Sequence, residues 1–153
     1  MENTMKRLVG LALAAMALTG AASANEITQV DTAWDMFGSH KVIVERFDDP
    51  RVENVSCYVS YAKSGGLAGA IGFAEDPSRF SIACRAIGPL TILSEIPADN
   101  EEVFERSTSL FFKAMHVWRV LDKEKNVLVY LVTSDKLIDG SPFNSISVVP
   151  LTQ

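Results

Sequence analysis

The sequence predicts a mainly antiparallel β domain, a sandwich or an open barrel-like sheet, and three observations carry that prediction. Val55, Cys57, Val59 and Tyr61 alternate with Ser56, Tyr58 and Ser60, a period of two that places one set of side chains on one face of a strand. Two apolar arms, 118–121 and 127–132, flank the compact charged loop Asp122-Lys123-Glu124-Lys125-Asn126, which reads as a hairpin with Asn126 available for a left-handed position. Turn residues recur between short apolar segments, at Asp48-Asp49-Pro50, Gly88-Pro89, Pro97-Ala98-Asp99-Asn100 and Asp139-Gly140-Ser141-Pro142. An α+β fold is the alternative, because a glycine-rich stretch between the cysteines carries helical spacing.

The first 24 residues read as a secretory signal peptide and not as part of the fold. Lys6 and Arg7 supply a positive start, 8–18 an apolar run, and Ala22-Ser23-Ala24 a small-x-small cleavage site. The run is short for a permanent membrane anchor, and no cysteine follows it for lipid attachment. The mature chain is then expected to begin near Asn25 and to be soluble outside the cytoplasm. About 129 residues then remain, enough for a single compact domain over 25–153 and too few for two ordinary ones. The full chain carries a net charge of −5, and loss of Glu2, Lys6 and Arg7 takes it to about −6. An acidic chain with no basic run is a poor match for nucleic acid or for an anionic membrane surface.

Within the mature chain, 27–37 reads either as a first strand starting near Ile27 or as a short turn capped by Asp31 or Thr32 and stopped at Gly38. His40 opens a clear strand over 41–47, which ends in the Asp48-Asp49-Pro50 turn, read as solvated. The segment around Cys57 follows, and Phe80, Ile82, Cys84 and Ala86 repeat its alternation. Cys57 and Cys84, the only cysteines, thus sit on apolar strand faces in a chain bound for an oxidising compartment, and we expect them to be bridged. Between them Gly66, Gly69 and Gly72 lie three apart, which fits a short packed helix or loop ending at Pro77. A phosphate loop is excluded because Lys63 precedes the glycines and no Gly-Lys-Ser/Thr follows.

Residues 101–106 lead into 109–121, the longest apolar stretch of the mature chain. Leu110, Ala114, Val117, Trp118 and Leu121 would make a helix face; Leu110, Phe112, Ala114, Trp118 and Val120 would make a strand face. Aromatic and β-branched content and the hairpin behind it favour the strand. The unbroken apolar arm 127–132 fits a central strand covered on both faces, and 145–151 a short last strand.

No recognised catalytic arrangement emerges. Ser60 and Lys63 match Ser-x-x-Lys, but an extended chain points them to opposite faces. His40 and His116 are the only histidines; Asp135 or Asp139 with Ser134 or Ser141 completes a Ser-His-Asp set on paper only, with no Gly-x-Ser-x-Gly elbow. His116, in an apolar segment, reads as a half-buried hydrogen-bonded residue. Neither a metal nor a cofactor is expected, since two histidines without a His-x-His pair and a solvated Asp48-Asp49 turn make a weak ligand set.

Several segments taken together resemble one family. Phe47-Asp48-Asp49-Pro50, 54–60, Gly65-Gly66 with Ala74-Glu75-Asp76, Ile82-Ala83-Cys84, 106–110, Ser134-Asp135-Lys136 and Asp139-Gly140-Ser141-Pro142 are similar to the CreA family across essentially the whole mature chain. The resemblance implies a small exported protein of the Gram-negative periplasm, associated with a carbon-source-responsive regulatory system. It carries no assigned activity and therefore no catalytic or binding residues. The functional expectation is a non-enzymatic module binding a protein or small-molecule partner in the periplasm, with a small hydrolase-like enzyme as the alternative.

Overall fold

A computed structural model describes residues 22–35, 38–63, 80–107, 114–138 and 141–151. Among them every regular element is a β-strand: β1 (Asn25–Asp35), β2 (Gly38–Asp48), β3 (Val52–Lys63), β4 (Phe80–Ile92), β5 (Glu101–Ser107), β6 (Ala114–Asp122), β7 (Val127–Ile138) and β8 (Ser141–Pro150). All pairings are antiparallel between neighbours in sequence, giving one sheet of β1-β2-β3-β4 and a second of β5-β6-β7-β8. The mainly antiparallel β expectation holds, with eight strands among the described residues.

The two sheets share one core. Ile43, Phe47, Val55, Cys57, Val59 and Tyr61 of the first sheet pack with Phe104, Met115, Val117, Leu128, Tyr130, Val132 and Val149 of the second. Phe47 and Phe104 stack across the interface with centroids 4.5 Å apart. Where β4 approaches β8, the Cys84 N–H donates to the Ser147 hydroxyl at 2.8 Å. Cys57 and Cys84 stand opposite each other in register and are joined by a disulfide, with Cα atoms 4.0 Å apart and both residues buried. That proximity suits a non-hydrogen-bonded antiparallel pair, in which side chains come closest.

The first sheet resolves the ambiguity at 27–35 in favour of a strand, and the sequence predicts β2 and β3 closely. Gly88-Pro89 does not end β4. Between the pairs Val55–Ala86 and Glu53–Thr91, β3 spends one residue, Asn54, while β4 spends four, so the strand bulges and continues. Asn54 takes a left-handed φ of 65° and its amide donates to the Pro89 carbonyl at 2.7 Å. A side chain at Gly88 would meet Asn54 at 3.3 Å, so the glycine fits a close approach. In the second sheet Asn126 has φ 54°, as the hairpin loop requires. The glycine-rich stretch around Gly66, Gly69 and Gly72 and the signal segment over 1–21 lie outside the described residues. Ala22 and Ala24 pack against the core just ahead of β1. Among the described residues no helix is long and apolar enough to cross a membrane.

Candidate functional site

The second sheet has two faces of different chemistry, and register assigns each residue to one of them. Met115, Val117 and Arg119 of β6, Leu128, Tyr130 and Val132 of β7 and Val149 of β8 are buried and point inward. Their neighbours in sequence therefore point outward.

On the inner face the sequence places a charge where a core residue would stand. Arg119 has no exposed side-chain surface, and its guanidinium donates to Asp49 at 2.5 Å and to Glu101. Asp49 also accepts from the Tyr130 hydroxyl at 2.6 Å and from the backbone N–H groups of Arg51 and Val52 at 2.7 and 3.0 Å. Glu101 accepts from Arg51 through Nε and Nη2 at 2.6–2.9 Å. The Asp48-Asp49-Pro50 turn thus has the local chemistry read from the sequence, an aspartate accepting from the residues two and three ahead. It is not solvated. Asp49 is buried, because the turn folds over the inner face of the second sheet and meets the buried guanidinium of Arg119 there.

The electrostatics follow from this packing. Burial and then the Asp49 carboxylate push the Tyr130 phenol far above its ordinary range, so it remains a donor. The hydrogen bonds from Arg51 hold Glu101 below the usual carboxylate range against a smaller opposing effect of burial. Nearby, Arg106 donates to the buried Glu45 at 2.5 Å, while the other Glu45 oxygen has no hydrogen-bond partner.

The outer face carries two apolar rows. Trp118, Leu131 and Ile146 stand opposite one another across β6, β7 and β8, and Val120, Val129 and Val148 form the next row. Ile146 is 61% and Val148 47% exposed, and the other four are half-buried. This corrects one reading: the arm 127–132 is a central strand, but it is covered on one face only. The expected strand face is found for Ala114, Trp118 and Val120, and it is the outer one, while Leu110 and Phe112 lie outside the described residues.

The row beyond is His116, Thr133 and Asn144, next to Glu105 of β5, and it is acidic. His116 Nδ1 lies 2.5 Å from Glu102 and Nε2 lies 2.8 Å from Asp135. Partial burial lowers the imidazole's proton affinity, but the Glu102 hydrogen bond and the Asp135 charge outweigh it and hold the group above its ordinary 6.5. Trp118 lies beside it, its indole N–H donating to Thr133 at 3.2 Å. Glu102, Glu105 and His116 also bring ligand atoms within 4.8 Å of one another, the set among the described residues that could hold a metal ion. Exposed carboxylates with one imidazole form a weakly selective donor set.

The structure thus brings His116 to Asp135, as the Ser-His-Asp reading required, and separates the serine: Ser134 pairs with Met115 on the inward register. Ser60 faces Ser81 at 2.8 Å on β3 and β4, away from any base at hydrogen-bond distance among the described residues, and Lys63 ends the strand. His40 lies on β2, in a different sheet from His116. Asp139 lies outside the described residues.

Comparison with known proteins agrees with the resemblance in the sequence. The family model described as CreA protein matches residues 27–153. The chain belongs to the CreA family. Protein CreA of Escherichia coli strain K12 is 48% identical over 145 residues, spanning 92% of each chain, and the proteins of the same description from strains O6:H1 and O157:H7 align to the same extent. No solved structure matches. The roles of Arg119, Glu101 and Tyr130 in this CreA-family chain were missed by sequence reasoning. An arginine inside the alternating run 115–121 was the available signal, since a charge at an inward position of a strand needs a buried partner.

Proposed function

We propose that this CreA-family chain is exported to the periplasm, is cleaved before Asn25, and works as a non-enzymatic interaction module that docks through the outer face of β6, β7 and β8. One observation carries the reading: two rows of large apolar side chains, Trp118-Leu131-Ile146 and Val120-Val129-Val148, face outward on a rigid sheet. Apolar rows on an outward sheet face, rimmed by polar residues, support an interaction surface. The ion cluster inside supports it, because Asp49, Glu101, Arg119 and Tyr130 bond one another across the core and stand as internal supports of the sheet.

A photo-reactive residue at position 146 tests the surface, with the same residue at Ser81 on the outer register of the other sheet as control. Crosslinking in intact cells should give a discrete adduct from position 146 and none from 81. Equal adducts from both positions would sink the docking surface. Intact-mass measurement of periplasmic protein should show a chain starting at Asn25; a membrane-bound chain retaining Met1 would refute export and cleavage.

A further inference from the structure

The shape and charge of the outer face narrow its occupant. Adjacent strands lie about 4.8 Å apart and same-face side chains repeat about every 6.8 Å, so two or three rows across three strands cover roughly 200–300 Å2. A stable complex between two folded chains buries about 800 Å2 on each partner. The apolar rows are therefore too small to hold a second copy by themselves and well sized for a short segment of another protein.

Charge points the same way. Among the described side chains, Glu102, Glu105 and Asp135 gather at one end of the rows around the imidazole of His116 and outnumber it in charge even when it is protonated. At the other end of β6 the loop Asp122-Lys123-Glu124-Lys125 balances two acids with two bases, so the negative charge is concentrated at the His116 end. A second copy of the mature chain, itself net acidic, would gain no opposite charge there. Anionic lipid would gain none either. Meanwhile His116 shows that the acidic end accommodates a cation: both ring nitrogens are within hydrogen-bond distance of carboxylates, in the geometry an ammonium or guanidinium group also favours.

We infer that the outer face of the second sheet binds an extended segment of a partner protein that combines apolar side chains, laid on the Trp118-Leu131-Ile146 and Val120-Val129-Val148 rows, with a lysine or arginine held by Glu102 and Glu105. This rests on the docking face proposed above and adds the chemistry of what docks. The apolar side chains supply contact, and the cation sets direction and selectivity. Extended backbone suits the site, because alternate side chains of a strand-like segment can face the sheet while the others remain in water.

The test uses the mature chain and three short capped peptides: one alternating valine with lysine, one valine with glutamate, one serine with lysine. Amide chemical shifts should move for the valine–lysine peptide at Leu131, Ile146, Val148, Glu102 and Glu105. Affinity should fall at least about tenfold for each of the other peptides, and by a similar factor for the double variant Glu102→Gln/Glu105→Gln. Equal binding of the valine–lysine and valine–glutamate peptides would overturn the cationic occupant while leaving the docking face standing. Undiminished binding of the valine–lysine peptide to a folded Ile146→Asp/Val148→Asp variant would place the contact elsewhere and overturn the face itself. Absence of binding by all three peptides, or dimerisation or uptake by phosphatidylcholine vesicles in place of peptide binding, would overturn the inference.

Discussion

The two faces of the second sheet differ although the same four strands make both. Glu101 and Glu102, Arg119 and Trp118, and Tyr130 and Leu131 are neighbours in sequence and opposites in environment. Inside, Arg119 and Asp49 are buried against each other with Glu101 and Arg51 at the margin; outside, apolar residues are exposed or half-buried and carboxylates flank an imidazole. A charge placed in a core is tolerable when each of its partners is also inside, and its value then lies in cross-linking the two sheets. A charge on an open face costs little and remains available to something else. Breaking the inner set should damage folding, whereas changing the outer set should leave the fold and alter what it binds.

The largest effect is expected at Asp49. Asp49→Ala removes the acceptor for Arg119, Tyr130 and two backbone N–H groups and leaves the Arg119 guanidinium buried. Removing one partner of a buried pair costs about 3–5 kcal/mol, to be read from urea unfolding. A loss under about 1 kcal/mol would mean that the inner cluster is not closed and that the contrast between the faces is unfounded.

Cys57→Ser comes next. Closing a loop with a sequence separation of 27 stabilises chiefly by restricting the unfolded chain, and its loss costs about 2–5 kcal/mol, with Tm falling by on the order of 10 °C. Thiol labelling of the denatured, unreduced protein should find no free cysteine. Two labelled thiols per chain would remove the bridge from the account of the first sheet.

Changes on the outer face should be far milder. Ile146→Ser, at a side chain 61% exposed, should alter unfolding free energy by no more than about 0.5 kcal/mol while weakening peptide binding. A large stability loss there would show that the apolar rows are core after all.

The smallest effect is in pH dependence, where the two faces should act with opposite signs. Glu101 is held below its ordinary 4.5, so its contribution is present above that value and is lost as pH falls through the lowered folded one. His116 is held above its ordinary 6.5, so its contribution is complete below 6.5 and is lost as pH rises through the raised folded value. His116→Asn should therefore flatten the decline in stability above pH 6.5 by a few tenths of a kcal/mol, the scale of exposed pairs, and leave the acid limb unchanged. Direct titration of the imidazole should give a midpoint above 6.5 that drops in Glu102→Gln. A midpoint at or below 6.5 would unmake the carboxylate clamp.

Much was legible in the chain because β-structure writes itself locally. Alternation around Cys57 and Cys84, the left-handed Asn126 and the apolar arms of the β6–β7 hairpin each follow from side-chain period and turn chemistry, which need only neighbouring residues. Register added the pairing that sets the two cysteines opposite each other. Gly88-Pro89 misled because a turn signal and a bulge use the same residues, and only the partner strand, through Asn54, distinguishes them.

What the sequence by itself determined was the period of each strand and hence which residues travel together on a face. It did not determine which face turns inward. For β6 the apolar set Met115, Val117 and Leu121 turns inward and carries Arg119 with it, and that buried charge is matched by Asp49 arriving from a turn 70 residues earlier in the other sheet. Asp49, Glu101, Arg119 and Tyr130 meet only when the sheets pack, since no window of sequence holds them together. The physical reason is that burial is a property of the assembled surfaces: a strand carries two candidate faces, and the one that becomes core is the one for which the rest of the fold supplies partners.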